Sequence, residues 1–184
     1  MREKTILALD NLLYERNKGD EQHCYRVCVL CQRMGKVLGL SDRKVMDLKS
    51  VGLLHDIGKI GIDEQVLNKQ GELSEEEWRE IKRHPQIGYR IISKFNNMEG
   101  IAVNILAHHE RWDGQGYPKG LKGEEIPLYA RISAVADTYD AMTHDRSYRK
   151  ALSKKEAIEE LKRNAGTQFD PDLVKLFLEK VAML

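Results

Sequence analysis

Along most of this chain the apolar residues recur three and four positions apart, the spacing of one buried face of an α-helix. Ile6, Leu9, Leu12 and Leu13 trace such a stripe on a first helix over residues 2–17. Val27, Leu30, Met34, Val37 and Leu38 trace a second over about 21–38. A third, over about 42–56, opens at a Ser41 or Asp42 cap and runs into the very apolar VGLLHD. Ser74 with Glu77, and Ser153 with Glu156, read as capping boxes. Pro85 and Pro171 stand where a first helical turn begins. These signals predict further helices near 74–83, 85–95, 99–110, 128–143, 153–164 and 171–182. No segment alternates with period two between hairpin turns, so the expected fold class is all-α. The one long irregular stretch is 111–127, with four Gly and two Pro, and a loop of that length is usually functional.

Length and composition narrow this picture. A chain of 184 residues holds one domain with a real core, and no repeat or linker divides it, so 1–184 reads as a single unit. No apolar run approaches the roughly 20 residues of a membrane span, and the N-terminus scatters charges through its apolar positions unlike a secretory signal. The expectation is a cytoplasmic protein with no membrane partner. Thirty basic against twenty-nine acidic residues argue against a long nucleic acid, which is bound by clustered cations, but leave room for a small phosphorylated ligand. Cys24, Cys28 and Cys31 share one predicted helix. No second pair follows the Cys-x-x-Cys spacing, so core filling is the better reading than metal or redox chemistry.

The candidate chemistry lies in the histidines. His23, His55, His84, His108 and His109 fall within or at the ends of predicted helices, and Asp56 adjoins His55. The sequences before His55 and before His108 are strongly apolar, and an imidazole or carboxylate there is costly to bury unless something satisfies it. A divalent metal would do so. A set of imidazoles and carboxylates without thiolate suits iron, manganese, nickel, cobalt or zinc. Neighbours on a helix point about 100° apart, so the pairs His55-Asp56 and His108-His109 both matter only if a helix end aims into a pocket. Gly58 and Gly114, just downstream, would allow that. His144, in a polar THDRS turn, reads as a surface residue.

HDIGK at 55–59 is the signature of the HD superfamily of metal-dependent phosphohydrolases, and HHERWDGQGYP at 108–118 resembles the extended motif of its HD-GYP family. The similarity continues through NKQGELSEEEWREIKRHPQIG (68–88), ARISAVADTYDAMT (130–143), RSYRKAL (146–152) and GTQFDP (166–171). It covers the chain from about His23 to Pro171. The resemblance implies an HD-type helical bundle: an N-terminal helix at 2–17, a metal-binding core over about 20–143, and extra C-terminal helices in 144–184. It implies two divalent ions, with iron or manganese favoured. One would be held by His23, His55, Asp56 and Asp137, the other by His84, His108 and His109, with Asp56 bridging. The implied reaction is hydrolysis of cyclic di-GMP to pGpG, often onward to GMP, by hydroxide generated between two metals about 4 Å apart.

Other roles follow from the same resemblance. Lys59 would reach the scissile phosphate, unless it is a solvated lysine after a glycine turn. Arg146 and Arg149 would contact phosphate or guanine, against the alternative of an ordinary charged helix cap. Tyr117 would stack or hydrogen-bond at the pocket rim, or serve structure alone, with Gly114 and Gly116 in conformations closed to other residues. Asp140, one turn after Asp137, would support a ligand or sit on the helix surface. Implied partners are a GGDEF-type cyclase domain and a sensory or receiver domain. The chain opens one helix before His23, so either it is a piece of a longer protein or a separate protein regulates it. The first helix suits a homodimer contact and a packed structural role equally.

Three departures from the family pattern stand out. Gly19 replaces a Glu that in some members helps hold a third metal, so two metals are expected unless Asp20 or Glu21 substitutes. Ser147 replaces a usual Pro, and Cys24 a common Ser. None removes an expected ligand, so an active enzyme is expected. The competing readings are an HD phosphohydrolase for another nucleotide, such as cyclic GMP-AMP, and a non-catalytic sensor of cyclic dinucleotides. A sensor's mark would be a lost ligand or a lost Lys59, and neither is lost.

Overall fold

The structure is a computed structural model that describes residues 2–16, 21–145 and 150–182. Its regular elements are helical: α1 (Arg2–Arg16), α2 (Glu21–Val37), α3 (Asp42–Leu54), α4 (Glu64–Leu67), α5 (Glu75–Ile81), α6 (His84–Ile92), α7 (Glu99–Ala107), α8 (Leu128–Thr143), α9 (Lys154–Arg163) and α10 (Pro171–Lys180). A 3₁₀ turn, Ile57–Gly61, follows α3, and another, Gly123–Glu125, lies in the long loop. Among the described residues the only strand-like pairing is an isolated bridge between Ala165 and Phe169.

Side-chain caps set the starts of four helices. Ser74 and Ser153 each accept from the backbone N–H three residues on, and the Glu there reaches back to the cap N–H. Asp170 caps α10 through the N–H groups of Asp172 and Leu173, ahead of Pro171. Ser41 precedes α3 but makes no side-chain cap hydrogen bond. The short α4, capped by Asp63, carries too few apolar residues to be anticipated from periodicity.

Two apolar clusters form the core on either side of α3. On one side Val27, Met34, Leu48, Ile132, Leu161, Phe169 and Phe177 join α2, α3, α8, α9 and α10. On the other, Leu9, Val51, Leu54, Ile92, Met98 and Ile105 join α1, α3, α6 and α7. Burying each such side chain contributes roughly 1.5–3 kcal/mol. Cys24, Cys28 and Cys31 fill this core and none is in a disulfide. On α1 the expected stripe needs one correction. Ile6, Leu9 and Leu13 are buried, but Leu12 is 59% exposed, because it sits about 100° round the helix from Leu13. The packed role of α1 is therefore observed. Among the described residues no helix is long and apolar enough to cross a membrane.

α3 and α7 both stop just before a histidine, at His55 and His108, and α6 starts on one, at His84. The ends of three helices, together with the side of α2 that carries His23, are thereby brought to one place.

Candidate metal centre

At this meeting point the ligand atoms of Asp56, His84, His108 and His109 all lie within 4.8 Å of one another, and so do those of His23, His55 and Asp56. Asp137, on α8, places Oδ1 3.1 Å from His23 Nε2 and 4.0 Å from His55 Nε2. The two groups share Asp56. Its Oδ1 is 3.3 Å from His84 Nε2, while its Oδ2 is 3.4 Å from His55 Nε2 and 2.6 Å from Lys59 Nζ. All seven residues expected as ligands are thus together, and Lys59 is beside them.

The backbone decides which nitrogen each imidazole presents. His55 Nδ1 lies 2.9 Å from the carbonyl oxygen of Gly52, His84 Nδ1 2.7 Å from that of Ile81, and His108 Nδ1 2.6 Å from that of Ile105. A carbonyl oxygen only accepts, so in each ring the proton sits on Nδ1 and the lone pair on Nε2. Each bond reaches back three residues, a geometry that a histidine at the end of a helix adopts readily. His23 has a carboxylate at each ring nitrogen, Asp140 Oδ2 2.7 Å from Nδ1 and Asp137 Oδ1 3.1 Å from Nε2. Asp140 is itself clamped by Arg26, whose Nε and Nη2 donate to it at 2.6 and 2.9 Å.

These lone pairs converge where protein hydrogen bonds do not satisfy them. His55 Nε2 is buried and makes no hydrogen bond, and His84 Nε2 faces His108 Nε2 at 3.2 Å, acceptor against acceptor. Buried acceptors left this way are costly. Divalent cations relieve them, so the residues present fit metal ions.

Electrostatics agree. Burial, then the neighbouring His84, pushes His109 down to about 3. Burial, followed by His109 and His84, holds His108 well below the ordinary imidazole range, and burial lowers His84 too. Burial pushes Asp56 up, but Lys59, His55, His84 and His108 together draw it well below the usual carboxylate range. Burial likewise opposes ionisation of Asp137, and the hydrogen bond from His23 overcomes it. His84, His108 and His109 are therefore held neutral, and Asp56 and Asp137 ionised, the forms that bind metal.

A pH dependence follows for the metal-free protein. The unfolded chain takes up protons on these histidines once pH falls below about 6.5, whereas the folded chain resists doing so down to about 3 at His109. Stability is expected to be full above pH 6.5 and to decline as pH falls towards 3. Chemical denaturation of the chelated protein at a series of pH values checks this, and a midpoint that stays flat or rises on acidification would contradict it.

The loop after α7 makes the rim. His109 and Tyr117 stack with ring centroids 4.9 Å apart, and burial, then Asp56 and Asp137, raises the Tyr117 phenol. The Tyr117–Pro118 bond is cis. Gly114 has φ +82, as expected of a glycine required by its backbone. Gly116 needs a different explanation, since its φ is not positive. A Cβ there would overlap the Arg111 N and come within 2.5 Å of the Glu110 Cα, so close approach is what requires glycine. Glu110, 4% exposed, accepts from the N–H groups of Lys119 and Leu121 and so pins the loop. The loop is also tied to the far end of the chain. Trp112 N donates to Gln168 O and Asp113 N to Thr167 O, while Arg131 lies over the Trp112 ring and pairs with Asp170 at 2.7 Å.

Arg146, Arg149 and Ser147 lie outside the described residues, as do Gly19 and Asp20. His144 is exposed as expected, yet its Nδ1 lies 3.1 Å from Asp140 Oδ1. Glu110 was not anticipated. Of the two alternatives for Asp140, the helix surface is ruled out by its 1% exposure. Asp140→Ala, which strips His23 of its orienting partner, is expected to weaken metal retention roughly 10–100-fold. Competition against a chelator, on protein whose helical circular dichroism is retained, measures this, and unchanged retention would refute it.

The HD domain family matches residues 6–173. Over 177 residues, 95% of this chain and 48% of the relative, the sequence is 41% identical to a cyclic di-GMP phosphodiesterase of Thermotoga maritima. It is 36% identical over 176 residues, 95% of this chain and 34% of the relative, to 3'3'-cGAMP-specific phosphodiesterase 2 of Vibrio cholerae. The chain thus spans about half or less of the length of these curated relatives. A crystal structure of a cyclic GMP-AMP specific phosphodiesterase of V. cholerae superposes with a TM-score of 0.73 at 25% identity, covering 95% of this chain and 47% of that one. With its histidines and aspartates gathered at the ends of α3, α6 and α7, the chain belongs to the HD domain family and carries the motif set of the HD-GYP members.

Proposed function

We propose that this chain is a metal-dependent phosphodiesterase unit that hydrolyses a cyclic dinucleotide, with cyclic di-GMP as its substrate. The observation that carries the reading is the shared Asp56, which presents one oxygen to each of two imidazole groups whose lone pairs point into the same pocket. His23, His55 and Asp137 would hold one ion and His84, His108 and His109 the other, with Asp56 between them. Iron or manganese is the proposed metal, from a donor set of imidazole and carboxylate without thiolate. When bound, such ions supply Lewis acidity towards phosphate oxygens and acidify water at neutral pH.

The chain's own residues do the rest. The carbonyls of Gly52, Ile81 and Ile105 keep three imidazoles in one tautomer, and Asp140 orients His23. The ammonium of Lys59, 18% exposed and one turn from Asp56, stands ready to offset charge on the leaving 3′ oxygen. Tyr117, held against His109, borders the entrance. Arg146 and Arg149 are assigned to ligand phosphate or guanine by their place in the RSYR motif. In the reaction a water oxygen adds to one phosphorus, the P–O3′ bond breaks, and a proton passes to the 3′ oxygen, giving the 5′-phosphorylated linear dinucleotide.

The test is anaerobic incubation of the protein, reconstituted with iron or manganese, with cyclic di-GMP and separately with 3'3'-cGAMP, followed by chromatography. Faster release of pGpG from cyclic di-GMP supports the reading. Preferential cleavage of 3'3'-cGAMP would move the assignment to that substrate. Recovery of both uncut, though bound, would favour a sensor.

A further inference from the structure

Outside the metal centre, α6 and the rim loop enclose a groove of about 410 Å³, inside the roughly 300–1,000 Å³ range of small-molecule sites. Arg83, Arg90 and Lys119 line it with Gln86, Tyr89 and Pro118, and no acidic residue lines it. None of these side chains is a candidate metal ligand. Arg83, Gln86 and Arg90 follow one face of α6 at helical spacing. The two arginines are two turns, about 10 Å, apart along the axis. Among the described residues neither Arg83, Arg90 nor Lys119 stands in an ion pair, so three cations share one concave surface. The wall between them is apolar, from Ile87, Leu106 and Pro118, and the Tyr89 ring is 37% exposed at its edge.

Cations alone would take any anion, and an apolar wall alone any hydrophobe. Together they suit a flat ring joined to phosphate. Guanidinium groups recognise phosphate in bidentate fashion and also stack on ring faces. Two of them two turns apart can each engage a different phosphate of one ligand. We propose that this groove is a second, non-catalytic site for a small nucleotide bearing two phosphate groups. A nucleoside diphosphate and a linear dinucleotide with a 5′-phosphate share that chemistry. The proposal does not depend on the catalytic reading, because it requires no metal.

The test is calorimetric titration of the whole chain, freed of metal by chelation, with GDP, with pGpG, with guanosine and with inorganic pyrophosphate. GDP or pGpG is expected to bind saturably, and guanosine and pyrophosphate more weakly. Whichever nucleotide binds tighter identifies the source. The double variant Arg83→Ala/Arg90→Ala is expected to lose about 10–100-fold in affinity, with circular dichroism and metal content after reconstitution unchanged. Both side chains are exposed, so folding should survive. Equal affinity in the variant, pyrophosphate binding as tightly as the nucleotides, or no saturable binding at millimolar ligand would each overturn the proposal.

Discussion

Asp56→Ala is expected to empty both metal positions together and to lower hydrolysis by more than about 10³-fold. Among the described residues its carboxylate is the group shared by both clusters, Oδ1 towards His84 and Oδ2 towards His55. Removing it leaves His84, His108 and His109 on one side and His23, His55 and Asp137 on the other with no shared ligand, and it also releases Lys59, which it holds at 2.6 Å. His23→Ala should behave differently, since His23 groups with His55, Asp56 and Asp137 on one side of the centre. Elemental analysis of the two purified variants separates the cases. Retention of one full equivalent of metal by Asp56→Ala, or activity within tenfold of the parent, would show that Asp56 does not join the two positions.

Gly58→Ala should cost about 3 kcal/mol or more in stability, at the upper end of overpacking. A methyl group there would overlap the carbonyl oxygen of His84 and sit 2.6 Å from the Gly88 N. Both are backbone atoms of α6, so no rotamer change relieves the clash. Either the 3₁₀ turn or α6 must move, and the first follows directly on His55 and Asp56 while the second carries His84. The expected signature is a melting temperature lower by roughly 6–12 °C, together with weaker metal retention. Gly100→Ala is the matched control, because its Cβ would meet nothing within 4 Å. If both variants melt alike, the tight seat of the turn on α6 is not what fixes the ligands.

Much of this is legible in the sequence. Helical spacing, the Ser74 and Ser153 capping boxes and Pro171 locate helices, because those signals are local. The ligand residues came from motif resemblance, and apolar runs ending in HD and HH hinted that helix ends would point inward. Periodicity over-read Leu12, since a four-residue list can include one position that faces away. The tautomer control exerted by Gly52, Ile81 and Ile105 was not legible, because any residue type supplies a carbonyl. Asp140 stayed ambiguous because its partner His23 lies 117 positions away. Glu110 was missed inside a motif where the histidines drew attention, though an acid beside an apolar helix end, ahead of a glycine-rich loop, was a usable clue.

The bonds from Trp112 and Asp113 to Gln168 and Thr167 bear on how short a working version of this protein can be made. A chain stopped after α8 would keep every metal-facing histidine and both aspartates. It would nevertheless lose the two carbonyls that brace the rim loop and the carboxylate that secures Arg131 beneath Trp112. The entrance would then be built on a scaffold with one post removed. Trimming for crystallisation or for fusion to another domain should therefore spare everything through α10, which carries no catalytic group and still determines the shape of the door.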